Sequence, residues 1–286
     1  MSLKADLLHF VIRIIQTTLF FVPLRLAQKL GAVFGFIAYY FFPQHRKLTL
    51  GNLKFCSMNT SIAHRVFVNQ GKNLFELFKF YRLNKKNIDK FVKLEGKEFL
   101  DKALNYKKGV IVLIAHFGNW ELLSQTLVLH GYKFNATARK VYINQLERLL
   151  MKIRESKGAN IITRREQGTI KETFNVLDRN ELLGMLIDQN TKAARGVYIN
   201  FFNHRAYTPT ALVRIALKTN STVIPGFIHR QKNDTHILEI MPPVRFSYEG
   251  NQEDKIMKNT QILSDIIESQ VRKYPDQWVW FHRRWD

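Results

Sequence analysis

Two long apolar runs lie near the start of the chain, and each ends at a proline. The first, Leu7 to Val22, is apolar almost all round except for one polar stripe at helical spacing, and the second extends from Leu30 to Phe42. Arg13 interrupts the first run, and the second has 13 residues where a membrane-spanning helix needs roughly 20. We therefore predict a pair of interfacial, membrane-embedded helices; a single-pass anchor and two core helices of a soluble protein are the alternatives.

From residue 109 onward, strand-like runs alternate with segments of helical period. A continuous apolar run covers residues 109–115, and further strand-like segments cover residues 132–138, 159–163, 181–188, 221–230 and 235–243. Helical periodicity or helix-start signals cover residues 120–131, 146–158, 168–179, 208–218 and 252–273, with Thr208 as N-cap and Pro209 as first helical residue of the fourth. This alternation predicts a layered αβα fold with a mostly parallel central sheet, preceded by N-terminal membrane-associated helices.

We divide the chain into a membrane-associating segment, residues 1–45, and a catalytic or binding domain, residues 46–286. In open α/β sheets, ligands bind beyond the carboxyl ends of the parallel strands. His116, Arg139 and Asp188 each follow a predicted strand, so the sequence places all three at that edge.

The net charge of the chain indicates which classes of partner it binds. The chain has 44 Lys and Arg against 23 Asp and Glu, a net charge of +21, and no acidic residue between Leu7 and Phe75. Such an excess favours a polyanionic partner: nucleic acid, an anionic membrane, or an acidic substrate or carrier. The lone Cys56 excludes an intrachain disulfide and a multi-cysteine zinc site, and no histidine spacing predicts a metal site.

His116 and Glu121 form the candidate chemistry, in the segment HFGNWE directly after the first buried strand. On one continuous helix the two side chains would point about 140° apart. They can meet only if His116 lies in a tight strand-to-helix turn that Gly118 permits, with Glu121 on the first helical turns. We then predict a dyad in which Glu121 orients His116 as a general base.

The segment HFGNWE, with His116, Asn119, Trp120 and Glu121, resembles the active-site block of the bacterial lipid A biosynthesis acyltransferases, the late lauroyl and myristoyl transferases. The resemblance continues in the same order along most of the chain. Its further blocks are RKLTLGNL from Arg46, the arginine of NATARK at Arg139, the pair Asp188 and Gln189, GVYINFF at residues 196–202, TPTALVRIA from Thr208, and the closing QWVWFHRRW.

The resemblance implies transfer of a fatty acyl chain from an acyl carrier protein thioester to a hydroxyl of a lipid A precursor, without metal or other cofactor. It implies His116 and Glu121 as the catalytic pair, and Arg139, Asp188 and Asn119 as substrate or oxyanion contacts, with Asp188 as a possible second carboxylate for His116. It also implies the cytoplasmic face of a bacterial inner membrane. The sequence departs from the family pattern at Asn203 and His204, where Gly is expected, but Asn tolerates a left-handed backbone.

Under this interpretation the excess of Lys and Arg attracts acidic carrier proteins and anionic lipids. The lysines expected to steer a carrier protein are Lys85, Lys86, Lys90, Lys93 and Lys97, and a solvated helix face is the alternative for each of them. The closing tryptophans either pack beside the site and meet headgroups or only fasten the C-terminus to the sheet.

Three other functions remain as alternatives. The same chemistry can act on a lysophospholipid, glycerol phosphate or another glycolipid. The charge and the C-terminal aromatics are compatible with a basic nucleic-acid-binding protein, although no nucleic-acid motif accompanies them. A serine or cysteine hydrolase ranks last, because the chain lacks G-x-S-x-G and Cys56 has no adjacent base.

Overall fold

The computed structural model describes residues 18, 21–141, 143–164, 168–191 and 194–285. Most of the first apolar run, Leu7 to Val22, and its membrane-helix prediction lie outside these residues. The second run lies almost entirely in helix α1, Leu24–Phe41, which starts directly after Pro23. The predicted boundary at residue 45 falls inside the following helix, α2, Pro43–Phe55.

The helices alternate with strands from residue 92 to residue 273. The helices are α1 Leu24–Phe41, α2 Pro43–Phe55, α3 Ala63–Leu77, α4 Lys97–Leu104, α5 Trp120–Leu129, α6 Asn144–Glu155, α7 Thr169–Asp178, α8 Ala211–Thr219 and α9 Gln252–Lys273. The strands are β1 Val92–Glu95, β2 Val110–Ile114, β3 Phe134–Ala138, β4 Asn160–Thr163, β5 Leu182–Leu186, β6 Gly196–Phe201, β7 His204–Pro209, β8 Thr222–Arg230 and β9 His236–Ile240.

Seven strands form one mixed sheet in the order β1-β9-β8-β2-β5-β3-β4. All neighbouring pairs are parallel except β8 and β9. The central strand β2 is completely buried, as its unbroken apolar run predicts. Two apolar clusters of buried residues lie around the sheet, one of them reaching the C-terminal tryptophans. The α/β class and the mostly parallel sheet are therefore confirmed.

Three local predictions need correction. Strand β1 lies before residue 109, where the sequence predicted no strand, because the four residues VKLE form no apolar run. Strands β6 and β7 form a separate antiparallel hairpin, whose turn places Phe202 and Asn203 in the left-handed region. Thr208 and Pro209 belong to this hairpin, paired with Val197 and Gly196, so helix α8 begins at Ala211 and Thr210 is its N-cap.

Helices α1 and α3 cross at very short range, and glycines make the crossing possible. A Cβ atom on Gly35 would lie 2.2 Å from the carbonyl oxygen of Phe67, and one on Gly71 would lie 2.2 Å from that of Gly31. The face of α1 turned to the protein carries Ala27, Gln28 and these small residues. Its large apolar side chains therefore face outward.

The outward face of α1 is apolar, which reverses the usual pattern of a surface helix. Eight large side chains on α1 are exposed by 42–77%: Leu26, Leu30, Val33, Phe34, Phe36, Ile37, Tyr40 and Phe41. A contiguous apolar surface of this kind is typical of an interaction site and not of a face kept in water. None of the helices within the described residues is long and apolar enough to cross a membrane.

The glycine crossing generates a stability prediction. Gly35→Val should destabilise the protein by about 1–3 kcal/mol, because the new side chain meets the backbone of Phe67. Gly51→Ala is the matched control: Gly51 lies inside α2 with nothing within 4 Å of a new Cβ, so alanine should be neutral or stabilise by up to about 1 kcal/mol. Thermal unfolding of the two variants in one detergent gives both values; equal midpoints would contradict the close crossing.

Candidate functional site

His116 lies in a sharp turn between β2 and α5. Two residues later, Gly118 has a φ of 56°, and a Cβ there would lie 1.7 Å from the carbonyl oxygen of Ile228. Only glycine fits this position. The turn is fastened to the C-terminal segment, since the Gly118 amide donates to the Gln277 carbonyl at 2.9 Å and the Val279 amide donates to the His116 carbonyl at 3.1 Å.

The carboxylate that holds His116 is Asp188. Its Oδ1 lies 2.9 Å from Nδ1 of His116, and its Oδ2 accepts the backbone amide of His116 at 2.8 Å. The indole Nε1 of Trp278 donates to the same Oδ2 at 2.8 Å. Asp188 follows β5, which pairs with β2 in the sheet, so neighbouring strand ends bring the two side chains together.

Asp188 stays ionised although it is 1% exposed. Burial would raise the pKa of its carboxyl, but the charge of His116 and hydrogen bonds from His116 and Trp278 lower it to about 2. An ionised carboxylate only accepts hydrogen bonds, so Nδ1 of His116 must carry the proton of this contact. Nε2 of the neutral ring is then left with a lone pair that can take a proton from a substrate.

The predicted hydrogen bond between Glu121 and His116 is not formed. Glu121 instead makes a bidentate ion pair with Arg154 of α6, with Arg154 Nε and Nη2 lying 2.9 and 2.5 Å from its two carboxylate oxygens. Because α5 turns Glu121 away from His116 and toward α6, Asp188 takes the partner role first assigned to Glu121. Glu121 still lines the same pocket as His116.

Asn119, which the sequence predicts as a substrate contact, is a buried structural residue of the turn. It is the N-cap of α5, where its Oδ1 accepts the amide of Leu122 at 3.1 Å. Its Nδ2 donates to Glu76 of α3 at 2.7 Å, and the residue is 2% exposed. Both ends of the side chain are thus used in fixing the turn that carries His116.

A pocket of about 300 Å³ opens beside His116 and extends across the carboxyl ends of β5, β3 and β4. Its wall includes Trp120, Glu121, Gln189 and His282 and three arginines, Arg139, Arg154 and Arg164. No three His, Cys, Asp or Glu side chains of the described residues cluster closely enough to hold a metal ion.

The arginines of the pocket differ in their partners. Arg154 is neutralised by Glu121, whereas the guanidinium of Arg164 hydrogen-bonds, among the described residues, only to the hydroxyl of Thr137 and the carbonyl of Leu186, each at 3.4 Å. Burial lowers the pKa of Arg164. A partly buried cation without a carboxylate makes this end of the pocket suited to an anionic ligand.

Comparison with known proteins decides the family. Residues 3–286 match the family described as bacterial lipid A biosynthesis acyltransferase. This chain belongs to that family. It is therefore an acyltransferase of the lipid A type.

The chain is similar to several known acyltransferases. A lipid A biosynthesis acyltransferase of Haemophilus influenzae is 24% identical over 91% of this chain and 81% of its own length. Phosphatidylinositol mannoside acyltransferases of Mycolicibacterium smegmatis and Mycobacterium tuberculosis are each 22% identical, over 64% and 66% of this chain and 59% and 58% of their own lengths.

Sequence reasoning gave no individual role to several residues of this acyltransferase's site. Trp278 holds Asp188, and the tryptophan lies in the C-terminal block QWVWFHRRW, for which a position beside the site was one of two expectations. Arg164 follows β4 as Arg139 follows β3, and this position after a strand could have indicated that Arg164 belongs to the site. The sequence around Arg154 does not indicate a role in the site, because Arg154 is one of several cations on an amphipathic helix.

The geometry separates the roles of the two carboxylates. Asp188→Asn should lower kcat about a hundredfold or more, because an amide neither fixes the required tautomer nor stabilises the imidazolium. Glu121→Gln should act through Arg154, so it should cost little more when Arg154→Gln is already present. Steady-state kinetics of the two single variants and the double variant measure this coupling. An undiminished effect of Glu121→Gln in the Arg154→Gln background would return Glu121 to direct contact with the base.

Proposed function

We propose that this acyltransferase moves a fatty acyl chain from an acyl carrier protein thioester to a hydroxyl group of a lipid A precursor. The observation that carries the proposal is the pairing of His116 with the ionised Asp188 at the mouth of an arginine-lined pocket. This pair supplies a general base, and the arginines supply charge for a phosphorylated acceptor.

In the first step Nε2 of His116 takes the proton of the acceptor hydroxyl as its oxygen attacks the thioester carbonyl carbon. The imidazolium so formed lies against the carboxylate of Asp188, which offsets its charge. Asp188 itself stays ionised, because its pKa of about 2 lies far below neutral pH.

In the second step the tetrahedral intermediate collapses and the carbon–sulfur bond breaks. The proton held at Nε2 of His116 passes to the departing thiolate, which regenerates the neutral base. The products are an ester on the acceptor and the free thiol of the carrier. No group of the protein is consumed, and no cofactor is needed to balance the reaction.

The arginines support an anionic acceptor. Arg164, which has no carboxylate partner among the described residues, and Arg139 both follow strands that end in the pocket wall. Guanidinium groups suit phosphate because their N–H donors match its oxygens in pairs. A phosphorylated sugar lipid therefore fits this end of the pocket better than a neutral lipid does.

The surface charge supports an acidic donor protein. All five lysines expected to steer it are exposed. Lys93 and Lys97 pair with Glu95 and Asp101 at 2.8 and 2.6 Å. Lys85, Lys86 and Lys90 form no ion pair with the described residues, so they keep most of the attraction for an acidic carrier protein, which is strongest at low ionic strength.

The exposed apolar face of α1 supports attachment to the cytoplasmic face of a bacterial inner membrane. Large apolar and aromatic side chains cover the face, and its neighbours in the chain are basic: Arg25, Lys29, Arg46, Lys47 and Lys54. Apolar side chains that enter the lipid boundary beside cations that meet anionic headgroups are the two components of interfacial binding.

A second acceptor class follows from the mycobacterial relatives, which are named for acylating phosphatidylinositol mannosides. Another glycolipid is thus the alternative acceptor. It would use the same base and the same thioester chemistry.

Purified protein in detergent tests the function directly. With an acyl–acyl carrier protein and a phosphorylated lipid A precursor, mass spectrometry should find the precursor heavier by one acyl chain, and His116→Ala should abolish the product. A phosphatidylinositol mannoside serves as the competing acceptor in a parallel reaction. Product only from that lipid would transfer the proposal to the alternative acceptor, and none from either would contradict it.

Vesicle flotation tests the membrane proposal. The triple variant Val33→Ser, Phe36→Ser and Phe41→Ser should bind anionic vesicles at least about tenfold less tightly, since each side chain loses apolar transfer energy. Tyr248→Ser is the matched control, because Tyr248 is 63% exposed outside α1. Equal flotation of triple variant and control would remove α1 from the membrane contact.

A further inference from the structure

His282 is a second histidine of the catalytic pocket and takes no part in the proton transfers assigned to His116. It lies in the pocket wall with His116, in the segment that follows Trp278 and Trp280. Its Nδ1 is buried and has no hydrogen-bond partner among the described residues. Nε2 is then the ring nitrogen left to face the pocket.

The backbone around His282 is held on both sides. Nδ2 of Asn52 donates to the carbonyl oxygens of Trp280 and His282, at 2.7 and 2.8 Å. Two residues later the buried Arg284 donates to the carbonyl of Tyr207 and the hydroxyl of Thr208, each at 2.6 Å. A side chain on a backbone fixed in this way is pre-oriented for a ligand.

The environment keeps His282 neutral. Burial lowers its pKa to about 4; the carboxylate of Asp188 opposes this shift, and the charges of His116 and Arg284 add to it. A neutral imidazole carries one proton, and a proton on the buried Nδ1 would have no acceptor. The favoured tautomer therefore has its N–H at Nε2, directed to the pocket.

We propose that His282 donates this Nε2 hydrogen bond to the carbonyl oxygen of the acyl thioester, and more strongly to the oxyanion that replaces it. The inference rests on the proposed function and assigns the binding of the donor's reacting carbonyl. As the acceptor oxygen bonds to the carbonyl carbon, the electron pair of the C=O bond moves to its oxygen, which accepts from His282. When the carbon–sulfur bond breaks, the C=O bond forms again and His282 is unchanged.

The two histidines thus have opposite tasks. His116 has a carboxylate at Nδ1 and can hold a second proton, whereas His282 has no hydrogen-bond partner at Nδ1 within the described part of the chain and keeps a single proton. Groups of one type whose surroundings favour different protonation states commonly divide acid–base work from charge stabilisation.

Kinetics of His282 variants test the inference. His282→Phe keeps a ring but loses the donor, so kcat should fall about 10²–10³-fold while both KM values change little. His282→Gln places an amide N–H near the position of Nε2 and should restore at least tenfold, whereas His282→Asn places it near Nδ1 and should not. Because His282 stays neutral, the kcat/KM profile of His282→Gln between pH 5 and 8 should keep its wild-type shape.

His64→Gln is the control, since His64 is exposed and its side chain makes no hydrogen bond to described residues. It should leave kcat unchanged, and unfolding midpoints should stay within a few degrees throughout. Near-normal kcat in His282→Phe, equal rescue by Asn and Gln, or a rise confined to the acceptor KM would overturn the assignment.

The tautomer gives a readout independent of turnover. Nitrogen NMR of protein labelled in histidine, with His282→Gln to identify the signal, should show His282 neutral at pH 7 with its proton on Nε2. A protonated Nδ1 or an imidazolium would overturn the inference even in active protein. If wild-type protein transferred no acyl chain, the proposed function would fail, and the tautomer would still be measured.

Discussion

The buried carboxylate of Glu76 is the contact on which the catalytic turn depends. It accepts hydrogen bonds from Gln28 of α1, Asn119 of the turn and Arg230 of β8, at 2.7, 2.7 and 2.6 Å, and lies 3.1 Å from Nε2 of His236. Burial would raise its pKa, but the charges and hydrogen bonds of His236 and Arg230 hold it well below its usual range. A buried ion pair of this kind is costly to break, because removal of one partner leaves an uncompensated charge.

The hydrogen bonds of Glu76 connect the exposed apolar helix α1 to the turn that carries the catalytic base His116. Gln28 lies on the inner face of α1, and Asn73, one turn before Glu76, donates to the carbonyl of Gly118 at 2.7 Å. Two layers therefore support His116: Asp188 at the ring, and the α3 network under the turn. Helices α1 and α3 therefore help to position the catalytic site, and α1 also carries the exposed apolar surface.

The sequence predicted the centre of this fold better than its edges. Strand β2 was predictable because a strand buried on both faces needs an unbroken apolar run. Helix α9 was predicted over residues 252–273, and in the structure a capping box of Asn251 and Asp254 fixes its start. The edge strand β1 and the hairpin carry no such run. The start of α8 was misplaced because Thr-Pro is a helix-start signal that tertiary pairing overrides.

The candidate site shows the same division. His116 and the need for glycine at position 118 follow from a strand that runs into a helix. The choice between Glu121 and Asp188 does not, because Asp188 is 72 residues away and reaches His116 only through the pairing of β2 with β5. Local spacing favoured the near carboxylate, and sheet order, which the sequence does not state, selects the distant one.

The proposed function is acylation of a lipid A precursor in the pocket of His116. Mass spectrometry of lipid A and total lipids from the native host, with and without this gene, tests it most directly when wild type and His116→Ala are each returned to the deletion strain. The account predicts that deletion removes the mass of one acyl chain from lipid A and that only wild type restores it. Unchanged lipid A in the deletion strain, or restoration by His116→Ala, would contradict it.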